Sequence, residues 1–139
     1  MWDDFAEYIL SEAGDNDVKI AEIAVGKFDK IAEYLNSKEN ITLIKTDISP
    51  KDETVIKDDI TNPNLNLYND IDIIYSIRPP SELQPHLVKL ACEINSQLII
   101  KPLTNEDLNT GRVKMKLKNF KRASFYTLRW CNGRHIITI

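Results

Sequence analysis

The chain has 139 residues, 42% apolar and 28% charged, with a formal net charge of −3. That length suits one domain with a real core and is too short for two ordinary ones. No apolar run approaches the ~20 residues of a membrane helix, and the acidic start Met1-Trp2-Asp3-Asp4 is unlike a basic signal peptide, so a cytoplasmic protein is expected.

The elements follow in chain order. Trp2, Phe5, Ala6, Ile9, Leu10 and Ala13 recur at steps of three and four, which makes one apolar helical face. Gly14-Asp15-Asn16-Asp17 ends that helix. A first strand is predicted over 18–25, and Gly26 turns the chain into a helix with Phe28, Ile31, Ala32 and Leu35 on one side. Strand two is Ile41 to Thr46. A short strand three, Thr54 to Lys57, runs into Asp58-Asp59. The stretch 61–69 holds four Asn and one Pro and reads as a loop, where a longer relative would place a crossover helix. Strand four is Ile71 to Ile77, and Arg78-Pro79-Pro80 must leave the sheet because proline lacks an N–H donor. Ser81 starts a helix that buries Leu87, Leu90, Ala91 and Ile94. Strand five is Gln97 to Ile100, and a polar connection covers 104–119. Two last strands, 123–130 and 134–139, flank Cys131-Asn132-Gly133, where Asn-Gly is a strong hairpin signal. Strands one, four and five are apolar on both faces, as in a parallel sheet covered by helices. The expected fold is therefore α/β, a Rossmann-like three-layer domain over 1–139 whose mostly parallel sheet ends in an antiparallel hairpin.

Charge is unevenly distributed. Residues 1–107 carry 21 acids and 10 bases, whereas 108–139 carry 8 bases and no acid. The bases are Arg112, Lys114, Lys116, Lys118, Lys121, Arg122, Arg129 and Arg134. Such a block suits a nucleic acid or another polyanion. The blander reading is a basic hairpin beside an acidic body, its charges solvated or paired internally. Cys92 and Cys131 are too few and too far apart for a disulfide framework or zinc site, and read as small hydrophobes or free thiols. No cluster suits a metal.

The segment Glu22-Ile23-Ala24-Val25-Gly26 resembles the first motif of class I S-adenosylmethionine-dependent methyltransferases, an acid near the end of strand one followed by alternate glycines. The resemblance implies that Glu22, Ala24, Gly26, Asp47 and Asp59 form the cofactor site, with Asp47 on the ribose hydroxyls and Asp59 near the adenine amino group. It also implies that Ser76, Arg78 and Pro79, after strand four, face the substrate. The run Ile-Tyr-Ser-Ile-Arg-Pro-Pro-Ser-Glu-Leu-Gln-Pro at 74–85 resembles something narrower, a small uncharacterised archaeal family with a reduced methyltransferase-like Rossmann domain. Departures are visible. Ala24 and Phe28 stand where the motif has glycines, and Arg78 and Ser81 replace the Asn/Asp and aromatic residues of the amino-methyltransferase motif.

Each residue has a structural alternative. Gly26 serves either a plain turn or a ligand contact. A carboxylate at Glu22 in an apolar strand needs hydrogen bonds, from turn amides or from a ligand. Asp47 could instead cap the chain at Ser49. Asp58 and Asp59 are adjacent, so only one is expected to face the crevice. Phe28 either narrows the pocket or packs its helix. The planar fork of Arg78 suits an anionic substrate, or else pairs with Glu82 and packs the two prolines. His86 and His135 lack catalytic partners at suitable spacing. Two functions follow. One is a methyltransferase-like protein that binds S-adenosylmethionine and takes a small molecule or nucleic acid through Arg78 and the basic segment. The other is a non-catalytic nucleotide-binding or protein-interaction domain. A nicotinamide dinucleotide is a weaker fit, since one glycine leaves little for a pyrophosphate.

Overall fold

Apolar strands alternating with one-faced helices build three layers in the computed structural model, which describes residues 1–102, 108–110 and 113–129. Strands β1 (Val18–Ile23), β2 (Ile41–Asp47), β3 (Ile56–Lys57), β4 (Ile73–Ile77) and β5 (Gln97–Lys101) are parallel. Strands β6 (Lys116–Phe120) and β7 (Ala123–Leu128) form an antiparallel hairpin, with β7 antiparallel to β5. The sheet order is β3-β2-β1-β4-β5-β7-β6. The chain therefore works outward from β1 on one side, then restarts at β4 on the other. The gap at the carboxyl ends of β1 and β4 is the switch point, where open α/β sheets leave a crevice.

The two faces of the sheet are sorted by the two-residue period of a strand. On β4, Ile73, Tyr75 and Ile77 join Phe5 and Ile9 of helix α1 (Trp2–Ala13) and Leu35 of helix α2 (Lys30–Asn36). Ile74 turns the other way and packs with Leu87 and Leu90 of helix α3 (Gln84–Ile94). Each such fully buried side chain contributes roughly 1.5–3 kcal/mol of transfer free energy. Between β3 and β4 there is no crossover helix. A loop with one 3₁₀ turn (Leu65–Tyr68) takes its place and buries Ile60, Tyr68 and Ile71 against the α3 face.

Two details differ from the sequence reading, and part of the expected C-terminus lies outside the described residues. The predicted polar connection contains β6, which turns at Lys121-Arg122 into β7; the hairpin expected at Asn132-Gly133 falls outside the described residues. Arg112, Trp130 and the expected strand 134–139 lie outside the described residues. Cys92 is disulfide-bonded and so is not a free thiol, and Cys131 lies outside the described residues. Among the described residues no helix is long and apolar enough to cross a membrane.

Candidate functional site

At the switch point the ends of β1, β2, β3 and β4 enclose a cavity of about 440 Å³. That is within the range of small-molecule sites. Its walls are mostly apolar: Ile23, Val25, Ile48, Ile60, Ile77 and Leu83 among them. Three acids (Asp47, Asp58, Asp59) and two bases (Lys27, Arg78) also line it.

The turn after β1 shapes the floor. Gly26 has φ +60° and Ala24 also has φ +60°. Both alternate positions thus adopt the left-handed backbone that glycine reaches freely and alanine reaches at a cost of about 1–2 kcal/mol. No heavy atom lies within 4 Å of the place a Gly26 Cβ would occupy, so conformation rather than space calls for glycine there. The Ala24 N–H donates to the Thr46 carbonyl at 3.0 Å, which ties the strained residue to β2.

Asp47 closes this turn from the end of β2. Its Oδ2 accepts the Gly26 N–H at 3.0 Å and its Oδ1 accepts the Ser49 N–H at 2.8 Å. The expected cap at Ser49 is made, the bond to Gly26 is additional, and a carboxylate still has acceptor positions to offer a ligand. Asp58 and Asp59 both border the cavity. Their carboxylates nonetheless differ. Asp58 accepts the Asn64 N–H at 3.0 Å through Oδ1 and the Tyr68 hydroxyl at 2.8 Å through Oδ2. Tyr68 in turn accepts from the buried Thr46 hydroxyl at 3.0 Å. Asp59 binds Thr61 through Oδ1 alone, at 2.9 Å to N–H and 2.6 Å to Oγ1. Those bonds hold its carboxyl below the usual range, and Oδ2 has no partner among the described residues.

Arg78 leaves β4 with φ +54°, its N–H donating to the Lys101 carbonyl at 2.6 Å. It makes no ion pair among the described residues. Instead the guanidinium lies 5.3 Å from the Trp2 ring centre and 5.5 Å from that of Phe28, and the two rings are 4.6 Å apart. Such contacts are worth about 0.5–1 kcal/mol at exposed sites. Phe28 lies before α2 rather than on its buried face, packs against Trp2 and lines the cavity.

Three residues of the expected site lie outside the lining. Glu22 is only 1% exposed and faces the α1–α2 layer, where its Oε1 accepts the Tyr75 hydroxyl at 2.8 Å. The register places Glu22 opposite Tyr75 on β4. Burial raises the Glu22 carboxyl to about 7, with the Tyr75 hydrogen bond acting the other way. Ser76 is fully buried and donates to the Ile23 carbonyl at 2.7 Å. Pro79 is buried and Pro80 takes its place at the rim. Sequence reasoning missed Ile48 and Ile60. The one available signal was an apolar residue directly after each of Asp47 and Asp59, and Ile48 is 59% exposed.

A family model described as an uncharacterised protein family (UPF0146) matches residues 2–130. A UPF0146 protein of Methanothermobacter thermautotrophicus is 40% identical over 126 residues, covering 91% of this chain and 93% of that one. Among solved structures, a SAM dependent methyltransferase from Aquifex aeolicus is similar with a TM-score of 0.55 and 12% identity, covering 88% of this chain and 87% of the other. The antibiotic-resistance methyltransferase Kmr is similar with a TM-score of 0.51 and 7% identity, covering 88% and 91%. At these identities the structural likeness speaks for the fold alone.

Proposed function

Because the chain belongs to the archaeal UPF0146 family and has a methyltransferase-like fold, we propose that it binds S-adenosylmethionine in the switch-point crevice and acts as a methyltransferase-like protein. One observation carries the reading. The left-handed turn at Ala24 and Gly26, Asp47 at the end of β2 and Asp59 after β3 all border one largely apolar cavity. In this reading the spare acceptor positions of Asp47 receive ribose hydroxyls, and Asp59 Oδ2 receives an exocyclic amine. Ile48 and Ile60 supply apolar surface for a base. The acidic wall favours a cation, and the cofactor is a sulfonium.

The cofactor, when bound, supplies an already activated methyl group, so the protein's contribution is alignment and electrostatics. Arg78 at the rim is placed to hold an anionic group of the acceptor. Ser76 and Pro79 have no part, and Glu22 acts only through the sheet beneath the turn. A second reading, a non-catalytic binding domain, has one observation in its favour. Among the described residues the crevice lining has no His, Cys or Tyr, and the carboxylates that could take a proton, Asp47, Asp58 and Asp59, each already accept bonds from the chain itself. Isothermal calorimetry with S-adenosylhomocysteine, S-adenosylmethionine and NAD tests the proposal. Saturable binding of the first two, weakened at least tenfold in Asp47→Ala, is expected. Tighter binding of NAD, or no heat with any of them, would overturn it.

A further inference from the structure

The lysines of β6 form a surface with no role in the crevice. Residues two apart on a strand point the same way, about 6.7 Å apart. Lys116 and Lys118 share a face of β6 opposite Thr127 and Phe125, and Lys114 precedes the strand in the same step. All three are exposed. With Tyr8, Thr127, Leu128 and Arg129 they line a groove of about 390 Å³ between α1 and the hairpin. Among the described residues β6 is the last strand of the sheet, so none of them pairs with its outer edge.

Internal pairing accounts for only part of the basic block. Helix α1 faces the hairpin with Asp4, Glu7 and Glu12, and each is engaged. Asp4 accepts the Arg122 N–H at 3.1 Å, Glu7 pairs with Lys121 at 2.8 Å, and Glu12 pairs with Arg129. Lys114, Lys116 and Lys118 have no ion pair among the described residues. Lysine on an edge strand also discourages strand pairing. That role alone does not require three unpaired cations on one side of a groove.

We propose that this groove binds the phosphodiester backbone of a nucleic acid. Three lysines along one wall of a single groove suit a polyanion, and the Thr127 hydroxyl is a further donor of the kind phosphates accept. An acidic protein surface is a poorer match. Protein interfaces are depleted in lysine and built around apolar anchors, whereas the apolar members of this groove, Tyr8 and Leu128, are 5% and 8% exposed. The surface is separate from the crevice, so its occupancy does not depend on what the crevice holds.

The test is fluorescence anisotropy of the full chain with a labelled 15-nucleotide RNA and a 15-base-pair DNA duplex. Three phosphate contacts give a slope of log affinity against log salt of about −2 for the single strand and about −2.7 for the duplex. From 50 to 200 mM salt that is a loss of roughly 20-fold or roughly 40-fold. Each single variant, Lys114→Gln, Lys116→Gln or Lys118→Gln, should lower the slope by about 0.7 to 0.9, while Lys38→Gln, in the turn between α2 and β2, should leave it unchanged. The proposal is overturned if neither nucleic acid binds at 50 mM salt, or if the three variants keep the native slope. It is also overturned if poly-glutamate displaces the probe as well as unlabelled nucleic acid does at equal charge, which would mark an acidic-protein site.

Discussion

At the scale of single residues, Glu22 is the clearest case of a side chain whose environment decides its role. Its strand position and its type were legible in the sequence, but its partner was not, because Tyr75 meets it only through the β1–β4 register. Burial raises its carboxyl from 4.5 to about 7. A raised acid binds its proton more tightly in the folded chain, so its contribution to stability is full below pH ~4.5 and is lost as pH rises towards about 7. Glu22→Gln keeps the shape and an acceptor for Tyr75 but cannot ionise. Urea unfolding across pH 4–8 should show native stability falling relative to this variant by on the order of 3 kcal/mol. Parallel curves for the two proteins would mean that Glu22 titrates normally. Ala24 presents a different residue-scale effect. Its φ of +60° is strained, so Ala24→Gly should raise stability by about 0.5–1 kcal/mol after the greater freedom of glycine in the unfolded chain is offset. A lower melting temperature in that variant would contradict the strain.

At the scale of elements, the loop that joins β3 to β4 shows how a missing helix is replaced. Asn-rich composition made the loop itself predictable, but not its anchor. Tyr68 is buried, donates to Asp58 and accepts from Thr46. Tyr68→Phe leaves the buried Thr46 hydroxyl and an Asp58 oxygen without that partner, and should cost about 1–3 kcal/mol. Hydrogen exchange at Asn62 and Ile71, whose N–H groups donate within this loop, should quicken most. Unchanged exchange there would show that apolar burial alone holds the loop. The hairpin teaches the converse lesson. Lys116–Phe120 reads as a polar connection because an edge strand exposes most of its side chains, which erases the alternation that marks half-buried strands.

At the scale of the molecule, the mostly parallel sheet and its helix layers were legible because β1, β4 and β5 are apolar on both sides and helices alternate with them. The site was legible only where a residue sits at a strand end: Gly26, Asp47, Asp59 and Arg78 border the crevice. It was illegible where side-chain direction depends on strand face, so Ser76 lies inside the sheet and Pro79 behind the rim. The crevice has an acidic wall at the ends of β2 and β3 and a cationic rim at Arg78, while lysines without an ion pair among the described residues lie at the far edge, on and just before β6. S-adenosylmethionine, as proposed, binds in this crevice. The most direct test follows backbone amide shifts of the labelled protein during titration with S-adenosylhomocysteine to millimolar concentration. Saturable shifts at Ala24, Gly26, Asp47 and Asp59, with Lys116–Phe120 unmoved, are the predicted result. No shift at Gly26 and Asp47 at millimolar ligand would contradict it.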